Sequence, residues 1–161
     1  MSVSVSILTV SDSTVAGTRE DASGPALAER CRELGWEIVA TGVVPDDEAV
    51  IADTLKEWAD TGSARLILTT GGTGVAPRDV TPEATRRVLD REIPGLAELM
   101  RWKGLEQTKF SIMSRAVAGA RKRTLIVNLP GSPRGAVFSL QTIETVIPHT
   151  VELLEGNTCH G

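Results

Sequence analysis

Histidine is scarce in this chain, with only His149 and His160, both near its end. Cysteine is equally sparse: Cys31 and Cys159 lie far apart and outside any Cys-x-x-Cys pair. A zinc site built from His and Cys is thereby excluded. Tyrosine is absent, and three Trp and two Phe are all the aromatics. That argues against a stacking platform for single-stranded nucleic acid. Excess positive charge is missing as well. Seventeen Lys and Arg face 21 Asp and Glu, so no broad basic field exists to hold a nucleic-acid backbone. Any phosphate handled here is expected to be a small molecule's, bound locally. No run approaches the roughly 18 apolar residues of a membrane span. Residues Met1 to Ser6 carry no basic start and no long apolar core, so they do not read as a signal peptide. Together these absences predict a cytoplasmic protein with neither membrane nor nucleic acid as partner.

What is present is enough core. Of 161 residues, 41% are hydrophobic and 15 are glycine. At this length folding buries roughly 70% of the unfolded surface, so no disulfide or metal staple is needed. No linker, repeat or low-complexity tract divides the chain, and one domain over residues 1–161 is expected.

Val3, Val5 and Ile7 alternate with serines before Ile7-Leu8-Thr9-Val10, which reads as a strand. A polar loop follows to Ser23. Pro25 is expected to open a helix whose stripe is Leu27, Cys31 and Leu34, stopped by Gly35. On that stripe Cys31 reads as a buried thiol. Residues 36–44 read as a second strand. Acidic residues after Pro45 start a helix that buries Ile51, Leu55 and Trp58. Arg65 to Thr70 contains Leu66-Ile67-Leu68, the pattern of a parallel strand covered on both faces. Thr81 as cap and Pro82 as first residue predict another helix, and Pro94 starts one burying Ile93, Leu96 and Met100. Residues 107–123 give no clear pattern. Leu125-Ile126-Val127 repeats the buried strand, and Ala136 to Leu154 reads as one final helix kinked at Pro148. Alternating strands and helices predict an α/β fold with a mostly parallel sheet.

Ligands of such sheets bind outside the carboxyl ends of the strands. Three polar or Gly-rich loops sit there: 11–24, 69–80 and 128–135. The central one, Thr69-Thr-Gly-Gly-Thr-Gly74 continuing to Thr85, can turn backbone N–H groups and hydroxyls towards an anion. It is neither a Walker A loop nor GxGxxG. Arg78 can clamp a phosphate and Asp79 can hold Mg²⁺; equally, the two can simply pair on the surface of a tight turn. Ser11 and Asp12 have both a ligand reading and a turn reading. Asp46 reads as a helix N-cap or as a catalytic carboxylate. Asn128 suits a turn as well as a ligand contact. Arg121-Lys122-Arg123 reads as a solvated turn within reach of phosphate.

Taken together the loops resemble the molybdopterin-binding fold of molybdenum cofactor biosynthesis proteins and the N-terminal domain of gephyrin. The matching stretches are Ser11-Asp12, Asp21-Ala-Ser-Gly-Pro25, Val44-Pro45-Asp46, Thr69 to Gly74 with Pro77 to Thr85, Glu92-Ile-Pro-Gly95, Ser114-Arg115 and Asn128-Leu-Pro-Gly-Ser-Pro133. They span most of the chain in one order. Ser13 departs from the pattern, since family members often carry a basic residue after Ser-Asp. The resemblance implies a three-layer α/β/α subunit assembling as a homotrimer. In the adenylyltransferase branch it implies transfer of AMP from Mg-ATP to the terminal phosphate of molybdopterin, releasing pyrophosphate. Asp46 and Asp79 match that branch's catalytic acids and are the expected Mg²⁺ ligands. Ser11, Asp12, Thr70, Gly71, Gly72, Thr73, Gly74, Arg78, Ser114, Arg115, Asn128, Pro130, Gly131 and Ser132 are the expected substrate contacts. Other proteins of the cofactor pathway are possible partners. The alternative is a molybdopterin-binding protein of the same family without turnover.

Overall fold

The structure is a computed structural model, and it describes residues 2–158; Cys159 and His160 lie outside them. The first strand, β1 (Ser4–Val10), runs into a single helical turn, α1 (Asp12–Val15). Next come α2 (Ser23–Glu33), β2 (Glu37–Val44), α3 (Glu48–Thr61) and β3 (Leu66–Thr70). The chain continues with α4 (Thr81–Val88), the two-residue β4 (Arg91–Glu92), α5 (Pro94–Gly104) and a 3₁₀ helix at Lys109–Met113. A hairpin of β5 (Ala118–Arg121) and β6 (Thr124–Leu129) precedes α6 (Pro133–Ile143) and α7 (Ile147–Leu154).

The six strands form one sheet in the order β2-β1-β3-β6-β5-β4. The first four are mutually parallel, while β5 and β4 run antiparallel at the far edge. All five residues of β3 and all six of β6 are buried, because both faces of the sheet are covered. Val5, Ile7, Leu66, Leu68, Leu125 and Val127 pack beneath Leu27, Cys31, Met100, Leu140 and Val151 of α2, α5, α6 and α7. Leu8, Val10, Ile67 and Ile126 face the other way, against Ile51, Leu55, Ala84 and Val88 of α3 and α4. The result is a three-layer α/β/α sandwich. Each fully buried Leu or Ile in these central strands contributes about 1.5–3 kcal/mol.

Local boundaries depart from expectation where a side chain has another task. Helix α2 starts at Ser23, ahead of Pro25, because Asp21 reaches forward to accept the Gly24 N–H at 3.0 Å. Thr81 lies inside α4 rather than capping it. Its hydroxyl donates instead across the loop to the Gly71 carbonyl at 2.9 Å, and Val80 takes the cap position. The final helix is two helices, not one with a kink. Pro148 sits in the first turn of α7, where a missing N–H goes unneeded. Residues 107–123 hold the 3₁₀ helix and β5, and Lys122 takes a left-handed conformation (φ 52°) at the hairpin tip. Ile93 is half-buried at the cap of α5, while Leu96 and Met100 are core.

Candidate active site

The parallel strands β2, β1, β3 and β6 deliver four loops to one rim. Their bases are stitched together. Gly71 N–H donates to the Leu129 carbonyl (3.1 Å), the Thr70 hydroxyl donates to the Pro130 carbonyl (2.7 Å), and Ser11 N–H donates to the Val44 carbonyl (2.9 Å). Gly131 approaches so closely that a Cβ there would stand 3.3 Å from the Gly71 Cα.

Asp46 and Asp12 hold each other through reciprocal bonds. Asp12 N–H donates to Asp46 Oδ2 at 3.0 Å, and Asp46 N–H donates to Asp12 Oδ1 at 2.9 Å. Helix α3 is capped by the neighbouring Asp47, whose carboxylate accepts the Val50 N–H at 3.1 Å. The cap reading of Asp46 is therefore corrected, because the capping geometry belongs to the next residue. Burial is the largest cause pushing the Asp46 carboxyl pKa up from its ordinary value; the negative charges of Asp12 and Asp79 add to it. Asp12 moves the opposite way, lowered by the Asp46 N–H and by Arg78.

Arg78 does not pair with Asp79. Its guanidinium grips the Asp12 carboxylate, Nε to Oδ2 at 3.0 Å and Nη2 to Oδ1 at 2.9 Å. The Asp79 carboxylate accepts the Ala76 N–H at 3.0 Å within its own turn. The surface-pair reading of Arg78 and Asp79 thus falls, since each has a separate partner.

Two cavities adjoin along the Gly-rich loop. The polar one, about 410 Å³, is lined by Ser11, Asp46, Asp79, Thr70, Gly71, Gly72, Gly131 and Ser132. The second, about 280 Å³ and mostly apolar, is lined by Thr73, Gly74, Met100, Phe110, Met113, Ser114, Phe138 and again Ser132. Thr73 to Gly74 face one cavity and Gly71 to Gly72 the other, so this loop is the wall between them. Ser132 spends its hydroxyl capping α6, accepting the Gly135 N–H at 3.1 Å.

Two expected contacts serve the frame. Asn128 is fully buried; its amide donates to Thr69 Oγ1 (3.0 Å) and Thr85 Oγ1 (2.9 Å), and its Oδ1 accepts the Val117 N–H (3.1 Å). That network crosses β3, α4 and the entry to β5. Arg115 is committed to Glu83, with Nη1 2.6 Å from Oε2, and to backbone carbonyls of the Gly-rich loop and its following turn. Arg121 is drawn away from the rim into an ion pair with Asp60, whose pKa falls to about 2 beside Arg121 and Lys122.

The chain matches the model of the probable molybdopterin binding domain over residues 6–149. It belongs to that family. The molybdopterin adenylyltransferase of Escherichia coli (strain K12) is 38% identical across 94% of this chain and 85% of its own length. The enzyme of the same name from Helicobacter pylori (strain J99) is likewise 38% identical, over 96% and 89%. The molybdenum cofactor synthesis protein cinnamon of Drosophila melanogaster is 41% identical over 95% of this chain, which spans only 26% of the fly protein. Among solved structures, the molybdopterin biosynthesis enzyme MoaB of Thermus thermophilus superposes with a TM-score of 0.90 at 52% identity. That match covers 96% of this chain and 97% of MoaB.

Within this molybdopterin-binding family member, the sequence had not marked Arg19, Glu20 and Asp21 as site residues, yet all three line the polar cavity. Asp21 is anchored there by the Thr9 hydroxyl at 2.9 Å. A signal existed, since Asp21 opens one of the matching motifs. Phe110 and Phe138 of the apolar cavity carried none, because each is a lone aromatic in an unremarkable stretch.

Proposed function

We propose that this chain transfers AMP from Mg-ATP to the terminal phosphate of molybdopterin, releasing pyrophosphate, as a step of molybdenum cofactor biosynthesis. One observation carries the proposal. The Gly-rich wall carries backbone N–H groups of Gly72, Thr73 and Gly74 that have no acceptor among the described residues, Gly72 on the polar cavity lined by Asp46 and Asp79, and Thr73 and Gly74 on the apolar cavity beside it. Such unpaired N–H groups in a glycine loop form a concavity for anions. The names of the bacterial relatives favour turnover over simple binding.

The chemistry follows from what the chain supplies. A molybdopterin phosphate oxygen attacks the α-phosphorus of ATP, and the bond from that phosphorus to the bridging oxygen breaks as pyrophosphate leaves. Phosphoryl-type transfer needs positioning and charge stabilisation more than covalent help. Loop N–H groups stabilise negative charge without reorganising. Each substrate also has a flat heterocycle, and the apolar cavity with Phe110, Phe138, Met100 and Met113 suits such a ring. Arg78, exposed, is tethered to Asp12, which in turn bonds Asp46 of the polar cavity.

Magnesium typically takes one or two protein carboxylates and completes its shell with phosphates and water. Asp46 and Asp79 fit that donor set. They line one cavity, and Asp79 is close enough for its charge to raise the Asp46 pKa. Among the described residues no group of three or more His, Cys, Asp or Glu is arranged to hold an ion, which suits an ion arriving with its nucleotide. Asp46 and Asp79 would hold it, and it would supply charge neutralisation for the departing pyrophosphate. No helix is long and apolar enough to cross a membrane among the described residues; a cytoplasmic setting belongs to the proposal. So does a homotrimer, supported by Trp102 (71% exposed), Ile112 (67%) and Phe110 (62%), an apolar concentration of the kind association covers.

Pyrophosphate release from ATP, measured with and without molybdopterin, tests the reading. Asp79→Asn is expected to keep the fold and pterin binding, while turnover falls by roughly two orders of magnitude. Near-normal turnover in that variant would remove Asp79 from the catalytic machinery.

A further inference from the structure

The Gly-rich wall is held from behind in an unusually complete way. All four carbonyls of Gly71-Gly72-Thr73-Gly74 accept hydrogen bonds from two residues that come from outside the loop. Thr81 takes the first two: its hydroxyl donates to Gly71 O at 2.9 Å and its N–H to Gly72 O at 3.1 Å. Arg115 takes the second two: its N–H donates to Thr73 O at 2.8 Å and its Nε to Gly74 O at 2.7 Å. Nη2 of the same guanidinium donates to the Asp79 carbonyl at 2.7 Å, and Glu83 receives the remaining bonds from Nη1 and Nη2.

We infer that Thr81 and Arg115 are positioning residues, a two-point clamp that holds the loop's carbonyls back so that its N–H groups present an anion cradle. The inference rests on the adenylyl-transfer reading above. A peptide group is rigid and planar, so pinning one carbonyl orients the N–H of the following residue. Pinning Gly71 O, Gly72 O, Thr73 O and Gly74 O fixes the N–H groups of Gly72, Thr73, Gly74 and Val75, the last through the Arg115 side chain. None of these four donors has an acceptor among the described residues. Left unpinned, a glycine-rich segment populates both signs of φ, and the N–H groups would lose their fixed orientation. Arg115 has a second effect. By holding Gly74 O and Asp79 O together it closes the turn that presents Asp79, so cradle and carboxylate are set by one side chain.

This assigns Arg115 a role other than substrate contact. A guanidinium has five N–H donors, and here the acceptors already bound are Gly74 O, Asp79 O and both Glu83 oxygens. Its pKa is raised chiefly by the hydrogen bond to Glu83. Thr81 is fully buried and cannot reach a substrate.

The test uses inorganic pyrophosphate with Mg²⁺ as the probe, binding measured by calorimetry on the whole chain, so that turnover is not needed. Thr81→Val keeps the shape and removes the hydroxyl donor; Thr81→Ser restores it; Arg115→Gln removes most of the fork at a half-exposed site. The clamp predicts roughly tenfold or greater loss of pyrophosphate affinity in Thr81→Val and Arg115→Gln, the scale of a lost hydrogen bond to a charged or positioned group. It predicts near-normal affinity in Thr81→Ser. Normal affinity in Thr81→Val, or failure of Thr81→Ser to restore it, would overturn the role of Thr81. If Thr81→Val does not fold, Arg115→Gln decides: wild-type affinity there would refute the clamp. Absence of pyrophosphate binding in the wild-type protein is a different result, and refutes the anion site itself.

Discussion

Replacing Gly72 by alanine separates the geometry of the Gly-rich wall from ordinary loop tolerance. Gly72 has φ 70°, and a Cβ built on it would stand 2.3 Å from Thr81 Oγ1 and 3.1 Å from Asp46 Oδ1. The left-handed conformation alone costs a non-glycine residue about 1–2 kcal/mol. Relieving the 2.3 Å overlap requires the Thr81 hydroxyl to leave Gly71 O, and an unsatisfied buried carbonyl costs about 1–3 kcal/mol. The sum is about 3 kcal/mol. Gly17→Ala is the control, because it has φ 77° with nothing within 4 Å of the added carbon; it should lose only the conformational part, about 1 kcal/mol. Gly71→Ala should be worst. Its Cβ would meet the Val10 carbonyl at 2.3 Å, and backbone in a buried strand cannot rotate away. Urea denaturation followed by circular dichroism gives the order Gly17, Gly72, Gly71 in increasing loss of stability. Adenylyl transfer should survive in the Gly17 variant and collapse in the other two, since the added methyl presses on the Asp46 carboxylate or displaces the wall. A Gly72→Ala protein as stable and active as Gly17→Ala would refute the packing of Gly72 between Thr81 and Asp46.

The adjacent acids at the start of α3 should dissociate cleanly: Asp47→Ala loses about 1 kcal/mol of stability, as a lost cap does, but keeps turnover. Asp46→Asn should do the reverse, losing turnover without loss of stability. The folded-state pKa of Asp46 is raised, so its charge is disfavoured by folding above the ordinary carboxylate pKa and a neutral amide removes that penalty; parallel urea melts and rate assays check both. Burial pushes the Cys31 thiol up to about 12, so native Cys31 stays protonated where the unfolded thiol ionises. Stability should therefore fall as pH rises from about 9 towards 12, and in a Cys159→Ser variant Cys31 should resist alkylation at pH 8 until denaturant is added; rapid native labelling would contradict its buried placement. Sedimentation at micromolar concentration should show a trimer, and Trp102→Asp, which puts a charge on the exposed apolar surface, should shift it towards a 17.1 kDa monomer; a wild-type monomer would refute the assembly.

The strands that carry the site were legible because burial on both faces writes consecutive apolar residues, as in Leu66-Ile67-Leu68 and Leu125-Ile126-Val127. Loop positions followed from strand ends, and Asp46, Asp79 and the Gly-rich run do line the rim they were read onto. Spacing alone favoured a helix cap for Asp46 over a site role, because Asp46 and Asp47 offer the same group one residue apart. Only the hydrogen bond to Val50 tells which one caps. Strand β5 was illegible for a simpler reason: Ala118-Gly-Ala-Arg121 buries little side chain and shows no alternation. Pro148 misled because its effect depends on whether a helix starts or continues there. The clamp could not be read at all, since Arg115 reaches carbonyls 36 and 41 residues earlier in the chain. Local sequence does not encode where a guanidinium ends.

The most direct test of the whole account is the identity of the pterin product. The protein, ATP, Mg²⁺ and molybdopterin are incubated, and the pterin fraction is analysed by mass spectrometry alongside pyrophosphate release. The account predicts adenylylated molybdopterin and pyrophosphate in equal amounts, both lost in Asp79→Asn. Molybdopterin recovered bound but unmodified, with no pyrophosphate above the no-enzyme control, would contradict catalysis and leave a binding protein in its place.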